Sequence, residues 1–245
     1  MNDILRMTKE KLLALTVETT PWPLTAEGVV HIATTLGAFW VYDYAAAEQG
    51  RVGAHALLKS GLHSDGFFDS RILLAPENIR RILSHQIVMR LWEAHIPTPD
   101  YVAGVPDGAT ALGSDIADIL GVREAHMEKV DGRIVLKSKI PSGATVLLAE
   151  DFCTRGTGFV EAVRAIALKQ PFAKILPVDP VIINRGGLKE ILVEEVGTFT
   201  VLPIAEWRIQ DWDPKDCPPC ALGSTAIKPK ASPENWGALV TSQLP

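Results

Sequence analysis

Residues 144–158, Ala-Thr-Val-Leu-Leu-Ala-Glu-Asp-Phe-Cys-Thr-Arg-Gly-Thr-Gly, constrain the fold more than any other stretch of the chain. The apolar run 144–149 reads as a short buried strand. It delivers two adjacent carboxylates, Glu150 and Asp151, to a sheet edge. A loop of Gly and Thr follows and enters a helical pattern expected over about 159–169. Such a loop is suited to an anion: glycines allow close approach, backbone N–H groups converge, and the helix start is electropositive. Thr154 and Thr157 add hydroxyl donors, and paired carboxylates can each accept from a ribose hydroxyl. Together these parts fit a sugar bearing a 5'-phosphate. An acidic turn that merely caps a helix is the other reading of the same residues.

The rest of the chain supplies a matching framework. Apolar spacing predicts helices over 27–49, 78–94 and 110–120, and strands over 101–105 and 175–183. Residues 57–69, short, aromatic and punctuated by Gly, read as strands and turns. Strands alternating with helices predict an α/β domain of three layers around a mainly parallel sheet. Residues 1–25 read as an N-terminal extension, 26–210 as the main domain, and 211–245 as a tail rich in Pro and Cys. A small hood is expected from residues before about 70 and from the tail. Ligands of open α/β sheets bind at the C-terminal edge of the strands.

Composition narrows the classes of function. The 245 residues are 47% hydrophobic and 22% charged, as in soluble globular chains, and no run of about 18 apolar residues would span a membrane. A formal net charge of −5 argues against bulk nucleic-acid binding. Three cysteines do not make a disulfide scaffold, and with no evident secretory leader they point to the cytoplasm. Cys217 and Cys220 form one CxxC, half of a structural zinc site, and the chain has no second cysteine pair; no metal ligand is therefore assigned. A four-cysteine site shared across a dimer is the weaker alternative. His63 and His126 read as structural, since the sequence offers neither a carboxylate partner. Neither a Walker motif nor a G-x-G-x-x-G fingerprint accompanies residues 150–158.

The 144–158 segment resembles the phosphoribosyl pyrophosphate loop of the type I phosphoribosyltransferases: four apolar residues, two acids, two variable residues, then T-x-G-T/S. The resemblance implies that Thr154, Arg155, Gly156, Thr157 and Gly158 hold the 5'-phosphate, and that Glu150 and Asp151 meet the ribose hydroxyls. Residues 57–68, Leu-Leu-Lys-Ser-Gly-Leu-His-Ser-Asp-Gly-Phe-Phe, look like the L-x-S-G-x-x-S-x-x-[FY] signature of the orotate-specific branch. Glu128-Lys-Val-Asp-Gly-Arg133 is similar to its E-R-V-D-G-K stretch, and Asn184-Arg-Gly-Gly187 to its D-R-x-x-G segment. Residues 212–223 are similar to its W-x-P-x-x-C-P-L-C-x-x-G ending. The likeness covers roughly residues 26–230.

By that likeness the substrates are phosphoribosyl pyrophosphate and orotate, and Mg²⁺ arrives with the diphosphate. The enzyme is a homodimer of pyrimidine biosynthesis, with no nucleic-acid or membrane partner. Displacing pyrophosphate requires cations, for which Lys129, Arg133 and Lys137 are the catalytic candidates, with Lys59 on the diphosphate. Asp107 and Gly108 fall in the loop that meets the diphosphate. Phe67 and Phe68 offer flat surfaces to the base, and Arg185 a fork for its carboxylate. Each also has an ordinary reading: core aromatics, a solvated basic face, and a surface ion pair. The sequence departs from the family where Asp107 would repel a diphosphate, where Arg155 replaces a small residue, and where Asn184 replaces Asp. The mobile loop also lacks the basic pair and His common in the family. A transferase for another base, or a non-catalytic regulator binding phosphoribosyl pyrophosphate, stays open.

Overall fold

A computed structural model describes residues 3–245. In chain order the elements begin with α1 (Lys9–Leu13), α2 (Ala26–Thr35), β1 (Phe39–Val41), α3 (Tyr44–Glu48), β2 (Ala54–Leu57), β3 (His63–Ser64) and β4 (Gly66–Phe68). Next come α4 (Ser70–Leu73), α5 (Glu77–Glu93), β5 (Tyr101–Gly104), α6 (Thr110–Leu120), β6 (Arg123–Glu124), β7 (Met127–Val130) and β8 (Arg133–Leu136). They are followed by β9 (Thr145–Cys153), α7 (Thr157–Lys169), β10 (Lys174–Ile175), β11 (Val178–Asn184), β12 (Glu190–Val193) and β13 (Gly197–Glu206). The last are β14 (Asp211–Trp212), α8 (Pro218–Ala221), β15 (Thr225–Ile227) and α9 (Pro233–Thr241).

The chain divides into two units. One joins the residues up to 32 with Ser70–Arg208, and the other joins Ala33–Asp69 with Ile209–Pro245. The first is built on a sheet in the order β12-β13-β11-β9-β5-β6, with β10 beside β9. Only β12 runs antiparallel to its neighbour. β9 is apolar over Val146–Ala149 and β11 over Val181–Ile183 because both faces are covered there, as parallel strands require. All seven residues of β11 are buried. Phe159, Ala162, Val163 and Ile166 recur at helical spacing on α7 and pack with Val146, Leu148 and Val181. Leu147 and Ala149, buried and alternating with them, point to the opposite face. There α6 packs on β5 and β9, and α5 packs on α6, β11 and β13.

Residues 3–32 are tied to α5. Asn78 donates its side-chain amide to the Leu12 and Leu15 carbonyls at 3.0 and 3.1 Å. The Leu24 N–H donates to Gln86 Oε1 at 2.9 Å. The second unit holds a sheet in the order β14-β3-β2-β15 and the antiparallel pair β1–β4. The C-terminal segment is therefore woven into one sheet with residues 54–64 and does not form a separate tail.

Two segments differ from the spacing-based expectation. The helix expected over 27–49 breaks after Thr35, where Gly37 adopts φ 74°. The chain then pairs Phe39 with Phe68 before Asp43 caps a new helix through the Ala46 N–H at 2.9 Å. Apolar periodicity cannot reveal a strand whose partner lies some 30 residues away. The basic stretch read as a loop is the hairpin β7–β8. Its turn is Asp131-Gly132 with φ 51° and 78°, the positive-φ pair that suits a two-residue turn.

Close backbone packing fixes the start of α6 against β5. A Cβ at Gly113 would lie 2.2 Å from the Gly104 nitrogen, and one at Gly104 1.8 Å from the Ala109 oxygen. Replacing Gly113 by Ala therefore forces α6 off the strand. We expect a destabilisation of about 1–3 kcal/mol, the usual cost of overpacking, measurable by urea denaturation with an unchanged m value.

Candidate functional site

The site grows from the point where β9 ends and α7 begins. Strand alternation turns Glu150 inward, where it is 5% exposed, and leaves Asp151 half-exposed. Glu150 lies under the first turn of α7: a Cβ on Gly158 would stand 3.0 Å from its Oε1, and the Phe159 N–H is hydrogen-bonded to it. Asp179, fully buried on β11, is its neighbour. Among the described residues neither Asp179 oxygen nor Glu150 Oε2 has a hydrogen-bond partner. Burial pushes the Glu150 carboxyl well above the usual carboxylate range, and the nearby Asp179 and Asp151 push it further. Burial, then Asp151, does the same to Asp179. Both shifts favour the protonated form of the pair beneath the helix start.

Asp151 takes the other direction. Its Oδ1 accepts from the Phe152 N–H at 2.8 Å, and a Cβ on Gly108 would meet its Oδ2 at 2.0 Å. The loop 105–109 can lie against this carboxylate only because residue 108 has no side chain. Beyond Asp151, Thr154 is half-buried, while Arg155 and Thr157 are exposed. Gly156 sits at φ 65°, and a Cβ there would meet Ile191 Cδ1 at 2.5 Å, so conformation and space both demand glycine. The N-cap residue, Gly156, has no side chain to cap α7, and of the first-turn N–H groups that of Phe159 is already taken by Glu150. The N–H groups of Thr157 and Gly158 thus present an anion-binding end over thirteen residues of helix.

The neighbouring strand ends complete this edge. The Arg185 N–H donates to the Cys153 carbonyl at 2.8 Å, which sets Arg185 beside the loop with only 7% exposure. Asn184 accepts from the Gly187 N–H at 2.9 Å and donates through Nδ2 to the Leu188 carbonyl at 2.7 Å. An Asp could not make the second bond, which gives the substitution a physical reason. Gly186 approaches the Thr154 carbonyl so closely that a Cβ would come within 1.8 Å.

Asp107 follows β5 after a cis Pro106–Asp107 peptide. Its carboxylate meets the Lys129 ammonium at 3.4 Å, so the charge that seemed hostile to a diphosphate has a cationic partner from β7. Lys137 pairs with Glu128 at 2.7 Å, and Glu128 also faces His126 at 3.5 Å, a carboxylate neighbour the sequence did not reveal. Arg133 stands exposed just after the hairpin turn.

Lys59, Phe67 and Phe68 belong to the second unit. Phe68 is 2% exposed and stacks on Phe39 with centroids 4.1 Å apart. Phe67 is half-buried, tilted against Trp236, with the Lys230 ammonium 5.7 Å above its ring. A cavity of about 380 Å³ brings Lys59 and Phe67 together with Lys228 and Lys230. The two tail lysines escaped sequence reasoning because nothing local links them to Phe67. Asp179 was detectable in principle, as an acid inside the apolar run 178–184.

No family model matches the chain. The chain is 28% identical to a protein named orotate phosphoribosyltransferase from Nitratiruptor over 71% of its own length and 90% of the relative's. A Helicobacter pylori protein of the same name matches equally, at 28% over 71% and 90%. Among solved structures, orotate phosphoribosyltransferase from Aeropyrum pernix covers 73% of this chain and 93% of its own with a TM-score of 0.55 at 17% identity. The fold is that of a type I phosphoribosyltransferase. No helix is long and apolar enough to cross a membrane among the described residues.

The buried acid pair generates a pH test. A carboxyl with a raised folded value gives its full contribution below its unfolded value, 3.8 for Asp and 4.5 for Glu, and loses it as pH rises. Asp179→Asn removes one titrating group without changing shape. Thermal melts from pH 5 to 8 should show the wild type losing stability with rising pH and the variant losing less, with a higher midpoint at pH 8.

Proposed function

We propose that this chain transfers the 5-phosphoribosyl group of phosphoribosyl pyrophosphate to orotate, giving orotidine 5'-monophosphate and pyrophosphate. The observation that carries the proposal is the start of α7, where Gly156 leaves the N–H groups of Thr157 and Gly158 without a capping side chain between Asp151 and Glu150, in a chain whose relatives bear the orotate phosphoribosyltransferase name. In this reading the first N–H groups of α7 and the hydroxyls of Thr154 and Thr157 receive the 5'-phosphate, with Arg155 adding a cation at its rim. Asp151, the accessible acid of the pair, accepts from the ribose hydroxyls. Glu150 supports the loop from beneath.

The leaving diphosphate gathers negative charge as its bond to the anomeric carbon lengthens, while the sugar becomes cationic. Backbone groups of Gly108 and its neighbours meet the diphosphate. Lys129 holds the Asp107 charge neutral there, and Arg133 and Lys137 are the further cations of the hairpin. Mg²⁺ bound through the diphosphate would supply further charge neutralisation, and the half-exposed Asp151 carboxylate offers oxygen donors suited to such a hard ion. Arg185 offers a planar fork to the base's carboxylate, a group that uracil and the purine bases lack. We place the enzyme in the cytoplasm as a homodimer.

A pyrophosphate-release assay with phosphoribosyl pyrophosphate, Mg²⁺ and a panel of bases tests the reading. Turnover is expected with orotate and not with uracil, adenine or hypoxanthine. Arg185→Leu should cut orotate turnover by roughly 10³-fold or more while leaving phosphoribosyl pyrophosphate affinity nearly unchanged, and Arg185→Lys should recover only part. Turnover with a purine base instead would reassign the base. Binding without turnover of any base would support a regulator.

A further inference from the structure

Four potential ligand atoms converge inside the second unit, far along the chain from the transferase loop. They are His55 Nε2, His63 Nδ1, Cys217 Sγ and Cys220 Sγ, all within 4.8 Å of one another. His55 Nε2 lies 2.9 Å from His63 Nδ1, 3.4 Å from Cys220 Sγ and 3.5 Å from Cys217 Sγ. His63 Nδ1 lies 3.2 Å from Cys220 Sγ. A tetrahedral zinc site with Zn–N of about 2.0–2.1 Å and Zn–S of about 2.3 Å has N···N edges near ~3.4 Å and N···S edges near ~3.6 Å. The observed separations fall within about half an ångström of those edges. We propose that these four side chains bind a structural Zn²⁺ ion.

The local structure explains why the residues meet. β2 and β3 pair antiparallel with Leu57 opposite His63. His55, two residues before Leu57, therefore shares a sheet face with His63. β15 pairs with β2 on its other side, Ala226 beside His55, and the short helix α8 leads into it. Cys217 stands at the N-cap of α8 and Cys220 within its single turn, closed by the Ala221 N–H to Cys217 carbonyl bond at 3.2 Å. The CxxC spacing thus aims both sulfurs at the two imidazoles.

The surroundings select a closed zinc site. The Ser224 hydroxyl donates to the Gly53 carbonyl at 3.1 Å, so its oxygen can only accept from His55 Nδ1 at 2.9 Å. That bond fixes the His55 tautomer with its lone pair on Nε2, facing the cluster, as an outer-shell partner does for a metal-bound imidazole. His55, His63 and Cys217 are buried, and the four ligands leave no position open for water or substrate. Two imidazoles and two thiolates suit zinc better than a hard cation such as magnesium. On binding, two neutral imidazoles and two thiols lose two protons to solvent, and the Zn²⁺ charge is cancelled by the two thiolates. The ion joins residues 55–63 to residues 217–220, the two chain segments of a unit smaller than about 80 residues, where a core alone supplies little stability.

The test uses the untagged full-length protein, expressed with zinc in the medium and purified under reducing conditions without chelator. Plasma mass spectrometry should find about one zinc per chain. A thiol-specific organomercurial should release it to a chromogenic chelator, and a strong chelator should lower the thermal midpoint of the wild type by several degrees. Cobalt substitution should give the visible d–d and thiolate charge-transfer bands of a tetrahedral site, lost in Cys220→Ser and His63→Asn. Wild-type protein without bound zinc or cobalt bands, or a Cys217–Cys220 disulfide in the freshly purified chain, overturns the proposal even if the variants fail to fold. None of these readouts depends on transferase activity.

Discussion

The passage of β9 from full burial to the half-exposed Asp151 governs the larger unit. Up to Ala149 both faces of the strand are covered, so its side chains are apolar. At Glu150 and Asp151 the cover ends on one side only. One acid is driven under α7 and the other toward the loop at Gly108. Hydrophobic burial fixes the strand, and the strand's alternation then decides which carboxylate can reach a ligand. The positions of Gly108, Gly156 and Gly186 follow from the same crowding, because each leaves backbone where a Cβ would collide.

Charge is arranged around this edge in a way that net composition hides. The chain is acidic, yet the start of α7 is positive through its N–H groups, and the nearby Glu150–Asp179 pair is held toward its neutral form by burial. A pair of full negative charges directly below the helix start would oppose an incoming phosphate. Burial, by raising both carboxyls, works against that penalty. Lys129 does the corresponding work for Asp107 at the adjacent loop, as an exposed pair whose value is local neutralisation more than stability.

The second unit is held together by different means. Its sheet is short-stranded and drawn from two distant stretches of chain, with β15 beside β2 and β14 beside β3. Side-chain ties recur between those stretches: Ser242 accepts from the Ala54 N–H at 2.9 Å, and Gln243 bonds the Asp43 backbone at both its N–H and its carbonyl. The His and Cys cluster lies at the middle of the same seam.

The strand-loop-helix of residues 144–169 was legible in the sequence because its signals are local: an apolar run, two acids, Gly and Thr, then helical spacing. The same holds for α5, α6 and the parallel α/β class, each written in periodicity over adjacent residues. What the sequence alone could not determine is pairing across distance. It did not show that Phe39–Val41 leaves the helical pattern to join β4, that Asp107 meets Lys129, or that Asp179 sits beside Glu150. Nor did it show that a lone CxxC finds its missing pair in two histidines more than 150 residues earlier. Local pattern sets which face of an element is apolar, but only the packing of those faces against one another brings distant polar side chains within a few ångströms, and there the chemistry is decided.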